Sequence, residues 1–494
     1  MNKVVVIGSG FSGLSAACCL AQQGYQVTVL EKNHTPGGRA RRFKEAGYTF
    51  DMGPSWYWMP DVFERFFKRF DLSVTDYYQL KRLDPSYRMF FNQHQNLDVP
   101  ADYTQIRQLF ESIETGSAVK LDKFMKQAEL KYQMGMGNFV YKPGNSAMEF
   151  INLETIRSAY QLDLFQSFHQ HLRRFFSNPK LLQLLTFPIL FLGATAKNTP
   201  ALYSLMNFAD LKLGTWYPKN GMHEIVLALV KLAESLGVSF KYRQEVHTID
   251  VKSSRASKVI TQDKHWNADL VVASADYHFI ESECLPIEYQ SYTDSYWESR
   301  TMAPSSLIYY LGVRKRIDGL QHHNLFFDAD LNQHTSEIYE TPKWPSNPLF
   351  YVSATSKTDA TVCPTGHENL FVLIPVAPGL EDNESVREHY FDVVMKRMER
   401  ALGTEITAFI DYRRCYAHQD FIKDYHAFKG NAYGLANTTM QTAFLKPGIK
   451  SKKVSNLYYA GQLTVPGPGV PPSLISGQIV ANQILKDARH ETVV

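Results

Sequence analysis

Residues 3–31 constrain what this chain can fold into more than any other stretch. Lys3 to Ile7 (KVVVI) is a short, β-branched apolar run, the pattern of a strand buried inside a parallel sheet. Gly8, Gly10 and Gly13 follow at once in G-x-G-x-x-G spacing, and small and apolar residues then run at helical spacing from Leu14 to Leu20. Tyr25 to Leu30 (YQVTVL) reads as a second strand and ends on Glu31. Strand, glycine turn, helix, strand and acid in register describe a dinucleotide site. Gly8 makes the tight turn, Gly10 admits a pyrophosphate close to the backbone, and Gly13 lets the helix pack on the strand. The helix N-terminus offers free N–H groups to phosphate, and Glu31 can accept hydrogen bonds from ribose hydroxyls.

The segment Pro36-Gly37-Gly38-Arg39-Ala40 comes directly after the second strand. It resembles the G-G-R turn of one large class of FAD proteins, in which the arginine reaches the flavin side of the cofactor. Two glycines permit close backbone approach, and Arg39 can neutralise a diphosphate. Phe50-Asp51-Met52-Gly53-Pro54 resembles the strand-to-turn segment beside the flavin ring in the same class.

With 494 residues, the chain is expected to form two or three domains. Its formal net charge of +3 carries no basic tail, which argues against nucleic acid as a partner. Cys18, Cys19, Cys284, Cys363 and Cys415 are scattered without metal-ligand spacing, as in a reduced cytoplasmic protein. There is no secretory signal pattern, and no apolar run reaches the ~18–20 residues of a membrane span.

The dinucleotide unit is interrupted and resumed. Leu83 to Phe91 is strand-like, and residues 104–185 are helical in pattern, with helices expected over Leu121–Tyr132, Leu162–Phe176 and Leu181–Leu185. A Pro218-Lys219-Asn220-Gly221 turn leads to an amphipathic helix from His223 to Leu236, whose Ile225, Leu229, Leu232 and Leu236 share one face. Val238–Phe240, Glu245–His247 and Ala268–Ala273 read as strands, as do Ser306–Leu311 and Leu370–Ile374. Near the end, Leu457–Ala460 forms a strand, Gln462–Pro472 a rigid Gly/Pro loop, and Ser473–Leu485 a helix. A helix N-terminus aimed at a flavin would stabilise charge that develops on reduction.

Together these segments resemble the bacterial-type phytoene desaturases, the carotenoid desaturase family within the amine-oxidase-like flavoproteins. The resemblance rests on VVVIGSGFSGLSAACCLAQQGYQVTVLEKN, PGGRARRF, YTFDMGPSWYWMPDVFERFF, RLDPSYR, LTFPILFLGATAKNTPALYSLMNFADLKLGTWYPKNGM and NLYYAGQLTVPGPGVPPSLISGQIVANQIL. It implies an α/β (α+β overall) fold: a discontinuous Rossmann-like FAD-binding domain with an inserted substrate domain of β-sheet plus helices. The FAD-binding parts are 1–95, 214–290 and 416–494. Residues 96–213 form a helical membrane-contact and substrate region, and 291–415 a β-rich substrate-binding domain. FAD is expected to be held by Gly8, Gly10, Gly13, Glu31, Gly38, Arg39 and the C-terminal loop with Gly461, Gln462, Gly469, Val470 and Pro471. Val246 matches the position whose backbone meets the adenine. The chain departs from the family at Gln462, Leu463, Val465 and Pro468, and at Asn220, where a second glycine is common.

The resemblance implies desaturation of a C40 polyene by hydride transfer to flavin N5 with loss of a proton from the neighbouring carbon. Both phytoene-type desaturation and hydroxycarotenoid 3,4-desaturation belong to the family. Oxygen or a membrane quinone is the expected acceptor, because no second dinucleotide fingerprint is present. No general base is assigned; Asp51 reads first as a strand-end carboxylate satisfied by backbone N–H groups. The apolar Leu181–Leu192 stretch reads either as a monotopic membrane contact on a cytoplasmic, peripheral protein or as a core helix. Two other classes stay open: another flavin oxidase or isomerase of the superfamily, and a non-enzymatic prenyl-lipid-binding protein.

Overall fold

The computed structural model describes residues 2–92, 95–150, 166–190 and 195–493. The first apolar run forms the strand Lys3–Ile7, with Val4 to Ile7 buried. It lies at the centre of a five-stranded sheet ordered Leu457–Tyr459, Leu270–Ala273, Lys3–Ile7, Gln26–Glu31 and Ser239–Tyr242. All four pairings are parallel, with Val4 opposite both Leu270 and Val27. Parallel neighbours require crossovers, and only the first is local: the helix Phe11–Gln22, buried from Phe11 to Leu20. The other strands come from distant parts of the chain.

Helix Phe11–Gln22 packs against His223–Ser235 and against the C-terminal helix Val470–Val493. The latter crossing is close: a Cβ on Gly477 would lie 2.2 Å from the Ser12 carbonyl oxygen.

A seven-stranded mixed sheet runs Ile410–Tyr416, Ser305–Val313, Glu368–Val376, Phe350–Ser353, His323–Phe326, Tyr87–Asn92 and Gln95–Val99. Its pairings are antiparallel except that of His323–Phe326 with Tyr87–Asn92. Side chains alternate with period two. Leu307, Tyr309, Val372 and Ile374 pack with Tyr390, Phe391, Val394 and Met398 of the helix Glu384–Leu402. Ile308, Phe371 and Leu373 point the other way, into the main core. The chain is thus a mixed α/β protein with one parallel and one mixed sheet.

Several boundaries differ from expectation. The strand expected over Leu83–Phe91 begins only at Tyr87, because Leu80–Arg82 pairs instead with Trp216–Pro218 and Pro85 has no N–H to donate to a ladder. The C-terminal helix starts at Val470 rather than Ser473, with Pro471 and Pro472 in its first turn, where a missing N–H costs little. The helix expected over Leu162–Phe176 lies partly outside the described residues; within them the helix is Phe168–Arg173. In the apolar helix Pro179–Leu190, Leu181, Leu184, Leu185, Phe187 and Ile189 are all buried. That stretch is a core helix in its described part. No described helix is long and apolar enough to cross a membrane.

Candidate active site

The carboxyl ends of Lys3–Ile7, Leu270–Ala273 and Gln26–Glu31 open onto one cavity of about 990 Å³. This is where a sheet of this order is expected to bind a ligand. Gly8 turns the chain with φ 97°, and Gly10 is the extended N-cap of the helix Phe11–Gln22. No side chain caps that helix and its first turn carries no acid, so its N-terminal N–H groups remain available to a ligand. A Cβ on Gly10 would meet nothing within 4 Å, whereas one on Gly13 would lie 2.1 Å from the Gly8 carbonyl oxygen. Gly10 therefore keeps ligand space open and Gly13 keeps helix and turn together; Gly13 does not line the cavity.

Glu31 lines the cavity with its carboxylate fixed by four protein donors. Ser9 N and Oγ bond one oxygen at 2.9 and 2.6 Å, and Asn33 N and Nδ2 bond the other at 2.8 and 3.0 Å. Gly38 adopts φ 54° and sets the G-G-R turn against the fingerprint: its Cβ would lie 3.4 Å from the Gly10 Cα.

Arg39 is an enclosed cation on the cavity wall. It donates from Nη2 to the Asn431 carbonyl at 3.3 Å, and its Nε has no hydrogen-bond partner. With the Gln462 amide oriented to satisfy both ends, its oxygen accepts from Arg39 Nη2 at 2.9 Å and its nitrogen donates to the Tyr433 carbonyl at 3.1 Å. Burial lowers the guanidinium pKa, opposed by the Asp276 carboxylate. Asp276 is itself pushed up to about 6 by burial, against the pull of Arg39 and backbone N–H groups. Sequence patterning did not single out Asp276; its signal is an acid three residues past a buried strand, capping the helix Tyr277–Glu283.

Val246 lines the cavity together with its neighbours Gln244 and Glu245. Gly461, Gln462, Gly469, Val470 and Pro471 also line the cavity, with Gly461 at φ 127° and Gly469 at φ 113°. Asp51 stands apart. Its two oxygens accept from Met222 N at 2.7 Å and His223 N at 3.1 Å, and it does not line the cavity. It fixes the start of the helix His223–Ser235.

The same cavity continues into an apolar branch. Met136, Leu202, Leu205 and Met206 come from helical segments, Ile308 and Leu373 from the seven-stranded sheet, and Trp58 from the loop before the helix Pro60–Lys68. No metal-binding group of histidine, cysteine or carboxylate side chains exists among the described residues.

A family model for flavin containing amine oxidoreductases matches residues 11–485. The chain belongs to this family. Among curated relatives, the carotenoid 3,4-desaturase of Haloarcula japonica is 41% identical over 490 residues, covering 98% of each chain. The zeta-carotene-forming phytoene desaturase of Myxococcus xanthus is 30% identical over 499 residues, covering 100% of this chain and 95% of its own. An oxidoreductase from Methanosarcina mazei shares the fold with a TM-score of 0.64 at 16% identity, over 97% of this chain and 100% of its own. Putrescine oxidase does so at 0.62 and 14%, over 98% and 99%.

As a member of this family, the protein is an FAD-dependent oxidoreductase, and its site fits the cofactor. The space held open over Gly10, the uncapped helix N-terminus and the unpartnered Nε of Arg39 together suit a diphosphate.

Proposed function

We propose that the protein is a carotenoid desaturase that removes two hydrogens from a C–C single bond of a C40 polyene, most directly as a 3,4-desaturase. The observation that carries this reading is the continuity of the cavity: one space joins the dinucleotide groove to an apolar branch. The 41% identity to a carotenoid 3,4-desaturase over nearly the whole chain favours desaturation near an end of the polyene.

In this reading Gly8, Gly10, Gly38 and Arg39 take the diphosphate, Glu31 the ribose and Val246 the adenine. The Gly461–Pro471 segment faces the flavin, and Gly13 supports the turn. Residues 1–95, 214–290 and 416–494 are read as the cofactor-binding parts around the inserted substrate region, except that the strand Tyr87–Asn92 belongs to the seven-stranded sheet. FAD, when bound, supplies a two-electron acceptor. The protein's own residues bury the substrate, exclude water and hold the reacting bond in place. Buried apolar area is the source of affinity at about 25 cal/mol per Å².

The protein works at a membrane surface, where its substrate resides. Met440, Phe444 and Leu445 lie close together in sequence and are exposed at 72%, 44% and 38%. Phe444 also lines the cavity. Met148, exposed at 81%, lies in the short helix Ala147–Phe150, just after Gly144, which abuts Ala443. Reoxidation uses oxygen or a membrane quinone, not NAD(P), for which the chain has no second fingerprint.

The test offers liposome-embedded phytoene, lycopene, γ-carotene and a 1-hydroxycarotenoid to the holoenzyme. A red-shifted product lighter by two hydrogens, or a multiple of two, supports the reading and fixes the step. No change in any of them, with clean oxidation of an amine or porphyrinogen instead, overturns it.

A further inference from the structure

Two buried polar groups lie unpaired behind the C-terminal loop. Lys446 ends the short helical turn Ala443–Leu445, and Thr464 Oγ1 donates to the next carbonyl, that of Pro447, at 2.6 Å. This bond ties the segment to the Gly461–Pro471 loop. Lys446 is only 6% exposed and Asn437 4%. Neither Lys446 Nζ nor Asn437 Oδ1 has a hydrogen-bond partner among the described residues. Both face Gly467, at φ 130°: a Cβ there would lie 2.8 Å from Asn437 Oδ1 and 3.3 Å from Lys446 Nζ. Asn437, Pro466 and Pro468 line the cavity, whereas Gly467 and Lys446 do not. The ammonium therefore stands immediately behind the cavity wall, at a glycine that leaves the path free of a side chain.

An unpaired cation in a protein interior is costly, and an apolar side chain would fill the same space without that cost. Among the described residues no carboxylate, histidine or other cation acts on Lys446; burial alone brings its pKa from 10.5 down to about 7. The resting protein thus holds a charge that its neighbours do not neutralise. Hydride transfer creates the opposite charge nearby. It breaks a substrate C–H bond and delivers two electrons and one proton to FAD, which becomes one unit more negative. In an apolar cavity such a charge is stabilised by a fixed opposite charge, and charge beside the ring sets how readily the cofactor is reduced.

We propose that Lys446 is the counter-charge of the reduced cofactor, its ammonium offsetting, across Gly467, the negative charge that FAD gains with the hydride. No bond forms to Lys446, which gains at most one proton. Reduction strengthens the hold of the amine on that proton. Above about pH 7 the amine is neutral beside oxidised FAD and cationic beside reduced FAD, so reduction takes up one proton more than the hydride carries. Below that pH it is cationic in both states and the extra proton disappears. The proposal rests on placing the flavin against the Gly461–Pro471 loop, not on the identity of the polyene.

The experiment reads the midpoint potential of the holoenzyme by spectroelectrochemistry, without substrate, from about pH 6 to about pH 9. In the wild-type protein the potential should first fall by about 30 mV per pH unit, one proton per two electrons. Once pH passes about 7 the fall should steepen to about 60 mV per unit, two protons per two electrons. Lys446→Met should keep the shallower slope throughout. At about pH 6 its potential should lie lower by about 30 mV or more, a tenfold shift towards oxidised FAD. Its affinity for oxidised FAD should change by less than about threefold, because the ring is neutral in that state. Gly469→Ala, which alters the cavity-lining part of the same loop, reports the placement of the ring through the flavin absorption spectrum. A wild-type slope that stays constant or becomes shallower as pH rises, or an unchanged potential in Lys446→Met, overturns the proposal. If Gly469→Ala then shifts the spectrum, only the counter-charge falls; if it does not, the placement of the ring falls as well. Should Lys446→Met lose FAD, the wild-type slope alone decides.

Discussion

Gly13 sits so close beneath Gly8 that a Cβ on it would lie 2.1 Å from the Gly8 carbonyl oxygen, while a Cβ on Gly10 would touch nothing within 4 Å. The two glycines of one motif therefore fail differently. Gly13→Ala would ordinarily favour a helix by about 1 kcal/mol. Here it forces turn and helix apart and should cost about 1–3 kcal/mol, seen as a lower melting temperature of the apoprotein. Gly10→Val should leave the apoprotein melting close to that of wild type yet abolish FAD retention on gel filtration. Unchanged FAD content in Gly10→Val would remove the fingerprint from the diphosphate site.

Arg39 should matter to the cofactor more than to the fold. Its Nε is unpartnered and its charge is enclosed, so the apoprotein gains little from it. Arg39→Met should weaken FAD about 10- to 100-fold, the worth of a charge-assisted hydrogen bond, while the apoprotein melts no lower than wild type. Titration of apoprotein with FAD, followed by flavin fluorescence, reads the first effect. An unchanged affinity would place the diphosphate elsewhere.

Asp51 should behave as a helix cap and not as a base. Asp51→Asn keeps the shape but replaces one acceptor oxygen, which should cost about 1–2 kcal/mol of stability. Turnover per bound FAD should stay within about twofold of wild type, since a lost general base would cost far more. Burial, opposed by the Met222 and His223 N–H groups, pushes this carboxyl from 3.8 up to about 6. Between those values the folded protein holds a proton that the unfolded chain releases, so the Asp51 contribution to stability falls as pH rises and levels off above 6. Asp51→Asn should flatten that slope in melting curves. A large loss of turnover with FAD and melting temperature intact would instead make Asp51 catalytic.

Local features of the chain were legible in the sequence. The apolar run Lys3–Ile7, the glycine spacing and the acid at Glu31 are set within one βαβ unit, and the structure reproduces that unit with boundaries moved by a residue or a few. Asn220 stands at φ 71°, a left-handed conformation that explains why glycine suits that position. Long-range features were not legible. Asp276 comes near enough to act on the charge of Arg39 only because a strand more than two hundred residues later lies beside the first, and a Trp56–His323–Tyr351 cluster joins three separate segments. None of these pairings leaves a spacing signal. The apolar Leu181–Leu192 stretch was ambiguous for a related reason: a core helix and a lipid-facing one share a composition, and only the packing of Leu181, Leu184, Leu185 and Phe187 separates them.

Lys446 carries a pH dependence of the opposite sign. Its ammonium is buried beside the Gly461–Pro471 segment, and its Nζ has no hydrogen-bond partner; a Cβ on Gly467 would lie 3.3 Å from it. Burial alone lowers its pKa from 10.5 to about 7. Between these values the unfolded chain holds a proton that the folded protein has given up, so folding becomes more favourable as pH rises. At and below pH 7 the buried charge is present and its whole penalty applies. Lys446→Met keeps the length of the side chain and removes the charge. It should stabilise the fold most near about pH 6, by on the order of a few kcal/mol, and progressively less towards about pH 10, read as a raised melting temperature. Parallel thermal melts of wild type and Lys446→Met across that range make the measurement. A stabilisation that is the same at both ends, or a destabilisation that grows at low pH, would show that the ammonium has found a partner and that this corner of the site is held together by its charge.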